Sequence, residues 1–174
     1  DFAGAHIELP GIKKVGTHYY LYGTSWDIIG TTLAGARCRS ELFKLNEQWD
    51  EIFHIIFDTA SLNNINAWGN SFVPHAIDFL NNQIILSGNT DSSIGNYTIR
   101  ALVFIDSTGQ IVKKIFFHPV PIIGLNPSGG DNSALLVTGS NILLGYNYWQ
   151  SYSPQLIANS CIFKFDSMGN EINY

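Results

Sequence analysis

One short pattern returns at a fixed interval along this chain, and it limits the possible folds more than any other feature. Leu42-Phe-Lys-Leu-Asn46-Glu-Gln-Trp49, Leu102-Val-Phe-Ile-Asp106-Ser-Thr-Gly109 and Ile162-Phe-Lys-Phe-Asp166-Ser-Met-Gly169 place positions 46, 106 and 166 sixty residues apart. Such a period marks a repeat architecture in which each copy is one supersecondary unit. A second match lies upstream of each: Tyr19-Tyr-Leu-Tyr-Gly23, Ile84-Ile-Leu-Ser-Gly88 and Ile142-Leu-Leu-Gly145. A third precedes it, at Ala5–Leu9, His75–Phe79 and Ser133–Val137, and a fourth follows the signature, at Glu51–Phe57, Ile111–Phe117 and Glu171–Tyr174. The unit is four short strands, repeated at about 5–57, 75–117 and 133–174.

The turn chemistry favours strands over helices. Asp106-Ser-Thr-Gly109 and Asp166-Ser-Met-Gly169 suit a type I turn followed by a left-handed glycine, a common hairpin solution. Ser40 to Phe57 alone would also pass as an amphipathic helix, with apolar residues at 42, 45, 49, 52, 53 and 56. Its sister segments carry turn residues in mid-run, which breaks that reading. Repeat one has Asn46 for Asp and Trp49 for Gly, so a wider hairpin is expected there.

Within the second copy, Ile99, Ala101, Val103 and Ile105 alternate with Leu102 and Phe104, so both faces of the strand are apolar. A strand of that kind needs cover above and below, which radially stacked four-stranded sheets provide. The fourth strands are more polar (His54, Lys113, Lys114, Asn173), as an edge facing water should be. The expected fold is all-β: three four-stranded antiparallel propeller-type blades, forming an incomplete β-propeller or half of a six-bladed one. An isolated half-ring would leave apolar faces in water at about 25 cal/mol per Å2. A protein partner, a second copy or the remainder of a longer chain is therefore expected to complete the ring. No basic leader opens the sequence, so a mature or excised chain is expected.

The signature apolar-x-apolar-Asp-x-x-Gly, recurring after a strand that ends near Gly, resembles the repeat of secreted bacterial β-propellers. The resemblance covers nearly the whole chain and implies an architecture; it carries over no catalytic residue, because such repeats host many functions.

In a four-stranded meander the second-to-third loops and the inter-blade connections lie at one end. Here these are the long segments: 26–36, 58–74, 89–98, 118–132 and 146–159. The turns at the other end are short, with 10–18 as the exception. Long irregular segments gathered at one end are where binding residues concentrate. The candidate ligand- or partner-binding residues are Trp26, Asp27, Trp68, Asp91, Asp131, Tyr148, Trp149 and Tyr152, with Tyr146 beside them. Aromatic faces among carboxylates and amides suit sugar rings or a protein partner, and also suit packing of the loops onto the blades.

Composition excludes several classes. Charged residues are only 13% and the net charge is −5, with no cluster of Lys and Arg, so a nucleic-acid surface is not expected. No apolar run reaches the roughly 18 residues of a membrane helix. Sixteen Asn among many Ser, Thr and Tyr suggest an extracellular or bacterial cell-surface protein. Cys38 and Cys161 read as buried free thiols before they read as a disulfide.

No catalytic residue, cofactor or metal is assigned. The five histidines lack ligand spacing. Asn89-Thr-Asp91-Ser-Ser93-Ile-Gly95 is a poor calcium loop, without a Glu at the twelfth position. The run Asn126-Pro-Ser-Gly-Gly-Asp131 lacks the Lys-Ser/Thr ending of a phosphate loop. Asn96-Tyr-Thr98 is a glycosylation sequon, meaningful only in a eukaryotic host. The sequence therefore points to a non-catalytic module that binds or scaffolds a protein or glycan at the bacterial surface. The alternative is part of a carbohydrate-active propeller enzyme with Asp27, Asp91 or Asp131 as acid or base, which would need two carboxylates at a set separation.

Overall fold

The computed structural model describes residues 5–28, 36–57, 72–91, 98–117, 127–128, 133–152 and 155–172. These residues are all-β, with twelve strands and no helix. The strands form three separate antiparallel sheets. The first contains β1 (Ala5–Val15), β2 (His18–Ile28), β3 (Ala36–Leu45) and β4 (Glu51–Phe57) in chain order. The second contains β5 (Val73–Leu80), β6 (Gln83–Asp91), β7 (Thr98–Ile105) and β8 (Ile111–Phe117), also in order. The third is built on β10 (Ser133–Thr138), β11 (Asn141–Tyr152) and β12 (Gln155–Asp166), with the short β9 (Pro127–Ser128) also paired to β11. Segment 40–57 is two strands, not a helix. The chain divides into two compact units, Asp1–Pro74 and His75–Tyr174.

The hairpins that join the first two strands of each copy use two-residue turns of the primed types, whose twist matches the strands they join. Asn81 and Asn82 both have positive φ, at 49° and 63°, the pattern of a type I′ turn. At Gly16-Thr17 and Gly139-Ser140 only the glycine does, at 58° each. The segment 10–18, expected as a long loop, is therefore mostly strand. Pro10 lacks an N–H for the ladder, and the register shifts between Glu8 and Gly11 to absorb it. Gly11 stands opposite Tyr22, whose ring occupies the space that a Cβ would need.

The turns after β3, β7 and β12 repeat one geometry three times. The amides of Trp49, Gly109 and Gly169 donate to the carbonyls of Asn46, Asp106 and Asp166, at 3.1, 3.1 and 2.9 Å. In each turn one side-chain oxygen accepts two backbone N–H groups: Gln48 and Asp50, Thr108 and Gln110, or Met168 and Asn170, all within 3.0 Å. The first hairpin is thus not wider than its sisters, contrary to the sequence expectation. An amide oxygen accepts as a carboxylate does, and Trp49 takes the left-handed conformation (φ 68°) that glycine takes elsewhere. For a bulky residue that conformation costs on the order of 1–3 kcal/mol. Ring stacking of Trp49 on Tyr19, with centroids 4.7 Å apart and planes at 10°, offsets part of it.

The second unit holds a core between two sheets. Every side chain from Arg100 to Ile105 is buried, so both faces of β7 are covered. Ile85, Leu102, Phe104 and Phe117 pack with Ile142, Leu144, Phe163 and Phe165 of the third sheet. Phe117 meets the rings of Phe163 and Phe165 at 5.4 and 5.3 Å. Polar contacts lock the same arrangement. The Asp78 carboxylate accepts from the Val137 amide at 2.6 Å, joining β5 to β10, and Lys113 donates to the Met168 carbonyl. Gly169 lies so close to Ile115 and Phe104 that a side chain there would collide with them.

One further expectation is corrected. The segment 146–159 is not a loop: β11 and β12 stay paired out to Tyr152 and Gln155. Aromatic-rich strands tolerate interspersed polar residues when a partner satisfies their backbone. The fourth strand of the third copy is represented among the described residues only by a bridge between Phe165 and Glu171 and by the Ile172 amide donating to the Lys164 carbonyl at 2.8 Å. That bridge keeps the register of Leu45 with Glu51 and Ile105 with Ile111.

Two measurements check this account. Phe104→Ala should cost about 3–5 kcal/mol in urea unfolding, as for a fully packed aromatic; a loss below about 1 kcal/mol would contradict the inter-sheet core. The second concerns acid. Asp106 and Asp166 titrate below the ordinary 3.8, chiefly through hydrogen bonds from the Thr108 and Asn170 side chains respectively. A depressed carboxyl contributes stability that is present above the unfolded value and lost as pH falls through the folded one. Since Asn46 fills the same role uncharged, the double variant Asp106→Asn, Asp166→Asn should lose less stability between about pH 5 and pH 2 than the wild type. Equal losses would refute the assignment.

Candidate functional site

The strands place the candidate residues on two different units. In the first, Trp26 stands on β2 opposite His6 and Cys38, and Asp27 opposite Ala5 and Arg37. In the second, Asp91 ends β6 opposite Thr98. Tyr148, Trp149 and Tyr152 lie on β11 opposite Asn159, Ala158 and Gln155, and Trp149 also pairs with Ser128 of β9. Five of these residues fall within long strands, and Asp91 ends one, where loops were expected. Trp68 and Asp131 lie outside the described residues, as do most of the calcium-like loop, the sequon asparagine and most of the glycine run. Tyr148, Trp149 and Tyr152 share the far half of β11, with Tyr148 and Tyr152 at positions of one face and Trp149 at a position of the other. They pair neither Asp27 nor Asp91 with a second carboxylate. No group of three or more potential metal ligands occurs among the described residues.

A polar cluster that the sequence reading missed lies within the second unit. Arg100 is buried on β7, and its guanidinium carbon sits 4.9 Å from the centre of the Tyr146 ring. A cation over an aromatic face is attracted by the ring quadrupole, more strongly once desolvated. Tyr146 in turn stacks on Phe163, with planes at 8°. Asn89, opposite Arg100 in the ladder, is buried with an Oδ1 that has no hydrogen-bond partner. Cys161, a free thiol, reaches the Tyr146 carbonyl at 3.9 Å.

The signal for Arg100 was available in the repeat. Positions 40, 100 and 160 are equivalent, and their ladder partners are Thr24, Asn89 and Asn147. The first and third copies carry serine there; in the first, Ser40 and Thr24 share a buried hydrogen bond of 3.3 Å. Only the second copy carries an arginine.

A second feature is the outer face of the third sheet. Its core side buries Ile142, Leu144, Phe163 and Phe165, whereas Leu136 is 56% and Ile162 77% exposed. Cross-strand pairing aligns Leu136 with Leu143 and Lys164, and Ala134 with Gly145 and Ile162. This face has an apolar centre, with Lys164 beside it and with Thr138, Asn141, Asp166 and Ser160 toward its ends. On the first sheet the row Ile12, Leu21, Phe43 and His54 is likewise partly open. His54 stacks on Phe43 at 4.0 Å and meets Glu41 at 3.0 Å.

No protein-family model matches the chain, and no curated protein does. Among solved structures, the acylaminoacyl peptidase of Pyrococcus horikoshii is similar at 7% identity and a TM-score of 0.32. The match covers 95% of this chain and 39% of that one, so the chain spans well under half of that structure. A TM-score at that level carries no argument about fold or function.

The cluster makes one chemical expectation. Burial pushes the Cys161 thiol up, while the Tyr146 hydrogen bond and the Arg100 charge act the other way. In a Cys38→Ser chain at pH 8, Cys161 should therefore react with a disulfide reagent at least about tenfold more slowly in the folded state than in urea. Equal rates would show an activated or fully accessible thiol.

Proposed function

We propose that the chain is a non-catalytic binding and scaffold module of the β-propeller type, working at the bacterial surface, whose third sheet receives a further sheet from a second copy of the chain. The observation that carries this reading is one position seen three times. Leu42, Leu102 and Ile162 are equivalent in the repeat, and the first two are wholly buried while Ile162 is 77% exposed. Leu102 owes its cover to the third sheet. By the same logic, Ile162 and Leu143 ask for a sheet that presents the residues the third sheet presents to the second.

The first sheet carries that complement. Phe43 occupies the position of Phe163, one of the residues through which the third sheet packs on the second, and its row with Ile12 and Leu21 is partly open. One chain thus holds both halves of a sheet-on-sheet contact, and a second copy supplies the missing half of each. Such a contact is heterologous: it either closes into a ring or extends into a filament.

Light scattering and native mass measurement test it. The wild-type chain should self-associate at concentrations up to about 0.1 mM. Removing one buried isoleucine costs about 1.5–3 kcal/mol, so Ile162→Lys should weaken association at least roughly tenfold with an unchanged circular dichroism spectrum. A wild-type chain that stays folded and monomeric over that range, or an Ile162→Lys chain that associates equally well, would overturn the proposal.

A further inference from the structure

The turn between β3 and β4 departs from its sisters in one respect. At the left-handed position where Gly109 and Gly169 stand, this turn holds Trp49, and the side chain is 57% exposed. The indole is not loose. It lies parallel to the Tyr19 ring, 4.7 Å between centroids and 10° between planes, so one face is covered and the other opens to water. Around the pair stand Lys14, with its ammonium 5.1 Å from the centre of the Tyr19 ring, and Glu47, whose carboxylate lies 3.7 Å from that ammonium. Asn46 and Asp50 are joined by a 3.0 Å hydrogen bond beneath the indole's own turn. The result is a flat, fixed aromatic surface with a charged and amide rim.

We infer that Trp49, seated on Tyr19, is a carbohydrate-binding platform that takes a β-linked pyranose chain. A β-glucopyranose ring has its hydroxyls equatorial, so its axial C–H bonds make a flat apolar face that fits the free side of the indole. The hydroxyls project around the ring's edge, on a turn that carries donors and acceptors at Asn46, Glu47, Gln48 and Asp50. A protein hot spot is usually an aromatic anchor seated in a packed, desolvated pocket. Trp49 instead stands on a turn whose sequence neighbours are Glu47, Gln48, Asp50 and Glu51. Pre-stacking on Tyr19 fixes the indole before the ligand arrives, which lowers the ordering cost of binding. The inference rests on the binding-module reading and supplies its ligand class, but it does not need the third sheet to dock.

The test uses the whole chain with cellohexaose, chitohexaose and xylohexaose as probes. Trp49→Gly removes the ring and installs the residue that the sister turns carry, so the backbone is left with one it prefers. The indole N–H resonance lost in that variant identifies Trp49. It should shift saturably with at least one of the three sugars at millimolar concentration. Trp49→Gly should weaken binding by about tenfold or more, and Trp49→Phe should retain most of it. The platform is excluded if none of the sugars moves that resonance, or if Trp49→Gly binds as the wild type does. It is also excluded if Trp49→Gly instead weakens self-association, which would make Trp49 a protein contact. Trp49 stands where Gly169 packs its turn against the second sheet, so docking of the first sheet would cover the platform. Ile162→Lys, which keeps the chain undocked, should bind sugar at least as well as the wild type, and weaker sugar binding in that variant would exclude the platform.

Discussion

The arrangement turns on one requirement: the second sheet has to be covered on both sides. Its central strand β7 has no polar face to offer water, since Leu102 and Phe104 point one way, Val103 and Ile105 the other, and all are buried. Exposing such a strand would cost about 1.5–3 kcal/mol for each large side chain, a large share of a domain's net stability. The third sheet meets the requirement on one side, and details elsewhere in the second unit follow from it. Gly169 suits its place because its turn packs against Ile115 and Phe104 and its φ is 75°. Asp78 turns to the Val137 amide because β5 and β10 are brought side by side.

The architecture was legible because turn residues recur at fixed offsets. The oxygen at 46, 106 or 166 and the left-handed residue three places on define a hairpin whatever lies between them. Misreadings arose where local composition and pairing disagree. Trp49 looked like a broken turn because the left-handed region favours glycine, yet stacking on Tyr19 holds it there. Tyr146 to Tyr152 looked like a loop because Asn147, Gln150 and Ser151 interrupt the apolar pattern; pairing with β12 on one side and with β10 and β9 on the other makes it a strand. Boundaries failed for a similar reason at Pro10, where a bulge lets the strand continue.

The sites were less legible than the fold, and the reason is physical. Leu42, Leu102 and Ile162 are near-identical in the sequence, and nothing in a side chain's chemistry states whether a neighbour covers it. Exposure at Ile162 is a property of the assembly, visible only once the sheets are built. Arg100 was hidden differently. A lone arginine in an apolar strand reads as an interruption until the ladder sets it beside Asn89 and the packing sets it over Tyr146.

Repetition explains why Arg100 and Trp49 occur at all. When three copies share one architecture, most positions are held to what the turn or the core requires, and a departure in one copy stands out against the other two. The sister copies keep serine where Arg100 stands, and glycine where Trp49 stands. Both departures are unfavourable taken alone: a guanidinium leaves water, and a bulky residue adopts a backbone that suits glycine. Each is supported by an aromatic ring from another strand, Tyr146 of the facing sheet in one case and Tyr19 of the same sheet in the other. They differ in what the support achieves. Over Tyr146 the charge is buried and ties two sheets together, so its contribution lies in the scaffold. On Tyr19 the supported ring remains in water, where it adds little to packing and presents a face to whatever approaches. By that contrast Arg100 belongs to the structure and Trp49 to recognition.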